Sequence, residues 1–188
     1  FPPILAAILI TPLLIDFLSI ELYGFYLIVL ILTTTSTLWV FGLNETLFYT
    51  IAEAVSNERE SAIPSIIKTI LYPYIAVFIF LSCITYFFSV DILALFFEKP
   101  EVNFIYEVNG MFRWTGFAMA SSLLYLTLTN MAYGFGLFRT TAVAGLVTAL
   151  LQVICNYFLI KYGGPKFISV LVLAFSFLIS SGFLIRKL

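Results

Sequence analysis

The chain has 188 residues, 62% of them hydrophobic and only 10% charged, with a net charge of -1 and a mean hydropathy of +1.11. A soluble domain averages about 45–50% apolar and about 25% charged residues. This balance therefore excludes a soluble globular domain, makes a bilayer the expected solvent, and leaves no basic field for nucleic acid.

The first apolar run, Ile4 to Ile15, is shorter than the ~20 residues needed to cross a hydrocarbon core. It also lacks the charged start of a signal peptide. It is expected to be the tail of a truncated span, residues 1–15, in a chain that is a fragment. Asp16 to Glu21 then read as a tight polar turn. A second span is expected over 22–43, with a hydroxyl cluster, Thr33 to Thr37, at its centre. Such hydroxyls are tolerated in a membrane helix because they bond back to carbonyls one turn earlier.

The stretch GLNETLFYTIAEAVSNERES, Gly42 to Ser61, is the polar exception, with Glu45, Glu53, Glu58, Glu60 and Arg59 together. It reads as a helical extension and connection over 44–62, with its charges on a solvated face; Asn44 and Glu45 lie nearer the membrane. A third span is expected over 63–88, with Lys68 near its start and Pro73 kinking it. SVDILALFFEKPE, within 89–101, reads as an interfacial connection. Further spans are expected over 102–133, 138–162 and 166–186. Between the last two, Gly163, Gly164 and Pro165 form a helix stop and a helix start. The fold expected is an all-α integral membrane bundle of about six transmembrane helices.

Two of these runs carry a heptad stripe. In the fourth it is Asn109, Arg113, Gly116, Ala120, Leu123, Thr127, Asn130 and Gly134; in the fifth, Ala142, Gly145, Ala149, Gln152 and Asn156. Small residues let membrane helices approach closely, and polar ones turn toward protein or a wet cavity. Helix packing and the lining of a hydrophilic path are therefore both open for these stripes, with Arg113 and Asn130 favouring the path. Charge bias does not orient the chain: Arg59, Lys68, Arg139, Arg186 and Lys187 would face one side, and Lys99, Arg113, Lys161 and Lys166 the other. The chain has no histidine, and Cys83 and Cys155 sit in apolar runs, so zinc, Ser-His-Asp and Cys-His chemistry are excluded. No metal and no cofactor are expected.

LITPLLIDFLSIELYGFYLIVLIL (Leu9 to Leu32, with Tyr23, Gly24 and Tyr26), GLNETLFYTIAEA, SVDILALFFEKPE and NYFLIKYGGPKFISVLVLAFS (Asn156 to Ser176) occur in order along nearly the whole chain. In that order and spacing they resemble the polysaccharide flippases of the multidrug/oligosaccharidyl-lipid/polysaccharide exporter superfamily. Family members often carry a basic residue before the first turn, where this chain has Ile15 and Asp16. The resemblance implies the first of two six-helix bundles, with a further helical half as partner, in a multi-pass protein of the plasma membrane. It also implies alternating access for a lipid-linked oligosaccharide, with no chemistry on the substrate.

Basic and hydrogen-bonding groups suit a sugar and its diphosphate. Arg113, Asn130, Arg139, Gln152, Asn156 and Asn109 are the binding candidates, and Asn44, Glu45 and Lys68 the candidate cavity or gate residues. A MATE-type drug/cation antiporter is the alternative within transport; it needs acids at membrane depth. A membrane-embedded glycosyltransferase or polymerase is the alternative of another class, and needs a carboxylate or metal site on a large loop.

Overall fold

The computed structural model describes residues 11–35, 43–58, 60–94 and 102–186, and among these every regular element is helical. Helix α1 covers residues 11–18 and α2 Ile20–Thr35. They meet at Ser19, which adopts a left-handed conformation (φ 74°), while Ser19 N–H donates to the Ile15 carbonyl (3.1 Å) and Tyr23 N–H to that of Ser19 (2.9 Å). The expected turn over Asp16–Glu21 is thus one residue wide. In α2 the hydroxyls of Thr33, Thr34 and Thr35 donate to Val29, Leu30 and Ile31 carbonyls at 2.7, 3.0 and 2.7 Å. That is the back-bonding expected of this cluster. Residues 1–10 of the first expected span, Ser36, Thr37 and the end of the second lie outside the described residues.

Helix α3, Leu43–Ser56, occupies most of the stretch expected to be a helical extension and connection. It does more than connect. Leu47, Ile51 and Ala54, spaced four and three apart, are buried against α7, whereas Glu45, Glu53 and Glu58 stay exposed. One apolar stripe docks and the acidic face is solvated. Arg59 and the Glu60 side chain lie outside the described residues. A short 3₁₀ turn, Glu60–Ala62, leads into α4, Ile63–Phe87, which starts with a proline in its first turn and carries Pro73 inside.

After α4 come α5 (Ser89–Ala94), α6 (Val102–Arg113), α7 (Thr115–Gly134), α8 (Phe138–Tyr162) and α9 (Ile168–Ile185). The run over 102–133, expected as one span, is therefore two helices joined at Trp114. The cause lies on α4. The Thr85 hydroxyl accepts the Gly116 N–H (3.1 Å), Trp114 N–H turns to the Met111 carbonyl (3.3 Å), and the Thr115 hydroxyl also donates to Met111 (3.2 Å). The normal ladder is replaced by a tighter turn and two side-chain bonds. Gly116 is needed here: a Cβ would collide with the Leu81 carbonyl and the Thr85 hydroxyl.

Helix α8 ends as its sequence predicts. Gly163 takes φ 65°, and the amides of Gly163 and Gly164 donate to the Ile160 and Leu159 carbonyls at 3.3 and 3.2 Å.

Among the described residues three helices, α4, α8 and α9, are long and apolar enough to cross a membrane, and the chain is an all-α membrane protein. Only 12% of the most apolar part of α4 is buried within the protein, against 44% for α9, so α4 presents most of its surface outward. At ~1.5 Å rise per residue, α7 is also long enough to span, yet it is poorer in large apolar residues. It sits at the centre, packed on α9, α4, α3 and α2, with fourteen of its twenty residues buried. A helix shielded by its neighbours has no need of an apolar surface toward lipid, and its Gly, Ala, Ser and Thr residues allow close approach on several sides.

Candidate functional site

Helices α2 and α8 face each other across a cavity of about 280 Å³ closed below by α7 and α9. The space exists because α8 offers Gly145 and Ala149 at this level, so little side chain reaches toward α2. The walls are mostly apolar, with hydroxyls and one amide placed among them: Tyr23, Tyr26 and Thr34 from α2, Tyr125 from α7, and Thr148 and Gln152 from α8. Several of these groups are held in place. The Tyr23 and Tyr26 rings stack at 6.3 Å, and the Tyr23 hydroxyl lies 3.2 Å from that of Thr11. Gln152 Nε2 donates to Ser176 Oγ (3.2 Å) and Thr148 Oγ1 to Ser180 Oγ (2.7 Å), both on α9.

No acidic or basic side chain lines the cavity among the described residues. No cluster of His, Cys, Asp or Glu able to hold a metal occurs among them either. The arrangement can hold a neutral polar or amphipathic molecule by hydrogen bonds and ring contacts; it presents no nucleophile with an adjacent base.

The candidates named from the sequence do not converge on this one cavity. Gln152 lines it, as do Gly145 and Ala149 of the same stripe. Asn156, one turn further along α8, is buried; its Nδ2 donates to the Gln152 carbonyl (2.8 Å) and its Oδ1 has no partner among the described residues. Asn109 and Arg113 line a separate cavity of about 470 Å³, where α4 and α8 end and α7 and α9 begin. Asn130 and Glu45 share an open depression of about 460 Å³ at the opposite end of α7, with Tyr49, Tyr133 and Phe138. Arg139 and Lys68 are exposed and line none of these three spaces. Asn44 belongs to α3, but its side chain is not among those described.

The fourth-run stripe separates into two uses. Gly116, Ala120, Leu123, Thr127 and Gly134 are buried among the surrounding helices, which is the packing use. Arg113 ends α6 instead of lying inside one continuous span over 102–133, because the helix breaks at Trp114. It is exposed, its Nε donates to Ser89 Oγ (3.3 Å), and its guanidinium lies 5.7 Å from the Tyr86 ring centre.

Sequence reasoning missed the tyrosines of the main cavity and the serines of α9. Ser169, Ser176 and Ser180 are all buried and recur at seven and four residues, a stripe as regular as those of α7 and α8. The tyrosines had no comparable signal, since Tyr23 and Tyr26 look like ordinary membrane aromatics until α8 is placed opposite. Comparison of the chain with family models, curated proteins and solved structures returns no match.

Proposed function

We propose that this chain is one helical half, of about six spans, of a transporter that flips a lipid-linked oligosaccharide across the plasma membrane by alternating access. The observation that carries the reading is the α2–α8 cavity. It is bounded on one side by α8 and α9, both of membrane length, and on the other by the shorter apolar α2; it is walled by apolar side chains and equipped with tyrosine, threonine and glutamine groups. A glycan brings many hydroxyls that hydrogen-bond to neutral donors and acceptors, and its sugar rings stack on tyrosine faces. The absence of carboxylates among its described lining residues favours this cargo over a cation. Alternating access would be carried by α1 and α2 moving against the firmly stitched pair α8 and α9.

The test is reconstitution of the polypeptide that carries this chain into liposomes with a lipid-linked oligosaccharide. Flipping is read as the fraction of glycan cut by an impermeant endoglycosidase added outside. Protein-containing vesicles should approach complete cleavage, and Gly145→Leu, which fills the cavity from α8, should return them toward the protein-free level. A Cβ at Gly145 meets only the Tyr125 hydroxyl, at 3.7 Å, so folding should survive. Cleavage equal to that of protein-free vesicles would overturn the proposal.

A further inference from the structure

The geometry points to a second site: the cavity around Arg113 binds the phosphate of an anionic lipid headgroup at the membrane surface. This proposal is independent of the transport reading. Three observations carry it.

The first is the state of the guanidinium. Arg113 Nε is tied to Ser89, itself 1% exposed, and the plane lies beside Tyr86. Its two terminal nitrogens have no acceptor among the described residues. That leaves the fork held in place and able to take two oxygens of one phosphate. The second is charge. Glu107, in the same cavity, is paired with Lys166 Nζ at 3.7 Å, so among the described residues lining the cavity Arg113 supplies one positive charge without an ion-pair partner.

The third is place and lining. The cavity lies where the spanning helices α4 and α8 end, and Tyr86, Tyr106 and Trp114 form its rim. Tyrosine and tryptophan gather at headgroup depth, where basic side chains reach the lipid phosphates. Asn109 lines the same space, and its buried Oδ1 has no partner among the described residues, which suits it to accept a headgroup hydroxyl after a turn of the amide.

Trp114 supplies the probe. The chain has two tryptophans, and Trp39→Phe leaves Trp114 as the only one. In mixed vesicles, quenching of Trp114 by bromine-labelled phosphatidylglycerol is compared with quenching by equally labelled phosphatidylcholine. About a fivefold preference for the anionic lipid is expected, the attraction of a single basic residue at a membrane surface. R113Q should bring the preference close to one, and R113K should keep part of it. E107Q frees Lys166 and should raise the preference, a gain that a damaged fold would not produce. Equal quenching by the two lipids, or a preference unchanged in R113Q, would overturn the site. Loss of the preference on adding inorganic phosphate at constant ionic strength would assign the site to a soluble oxyanion and overturn the lipid assignment.

Discussion

At the scale of the residue, the junction of Gly116 and Thr85 concentrates the most consequence. Gly116 has no room for a Cβ, and the Thr85 hydroxyl takes up its amide. Gly116→Ala must push α4 and α7 apart, and overpacking of this kind costs about 1–3 kcal/mol. Thr85→Val keeps the shape and deletes only the hydroxyl; polar bonds between membrane helices are worth about 0.6 kcal/mol on average and at most about 1.7. Unfolding of the solubilised protein in mixed micelles should thus rank wild type above Thr85→Val above Gly116→Ala. The reverse order would mean that the hydrogen bond, and not the close approach, sets the position of α4. Arg113→Ala, by contrast, removes an exposed side chain from a helix end and should change stability by no more than about 0.5 kcal/mol.

At the scale of the element, α8 and α9 are joined by two side-chain hydrogen bonds, Thr148–Ser180 and Gln152–Ser176. A double-mutant cycle with Thr148→Val and Ser180→Ala should return a coupling of about 0.6–1.7 kcal/mol. Additive effects would reduce the contact to coincidence. Helix α3 packs on α7 through an apolar stripe. Ile51 is fully buried between α3 and α7. Ile51→Ala should lose about 2–5 kcal/mol of local stability by deleting a core side chain. Because α3 is amphipathic and its far face already meets water, the loss should appear as faster amide exchange over residues 43–56 with α8 unaffected.

At the scale of the whole molecule, the polar groups lie at three levels along α7: Arg113 and Asn109 by its start, the α2–α8 cavity beside its middle, and Asn130 with Glu45 by its end. Helix α4 is long and apolar enough to cross a membrane, and a crossing α4 opens its two ends to opposite sides. With Cys83 and Cys155, both exposed and free, replaced by serine, a cysteine at Asn57 and one at Tyr106 should react with an impermeant thiol reagent from opposite faces. Labelling of both from one face would exclude α4 as a span.

Much of this molecule is legible in the sequence alone. Apolar content sets the membrane class, because no protein core could hide so much hydrocarbon surface. Local chemistry sets the stop at Gly163, which needs only a left-handed residue, and the back-bonding of Thr33 to Thr35, which needs only the preceding turn. What a stripe faces is a different matter. Gly116, Ala120 and Thr127 share a face in any helix, but whether that face meets a helix or water depends on where α3 and α4 stand. The break at Trp114 was likewise invisible, since its cause, the Thr85 hydroxyl that takes the Gly116 amide, lies 31 residues before Gly116 on another helix. Tertiary structure decided the division of the polar residues among three spaces. Periodicity gives the phase of each helix about its own axis, whereas a cavity needs two helices in register, and that register comes from packing between them.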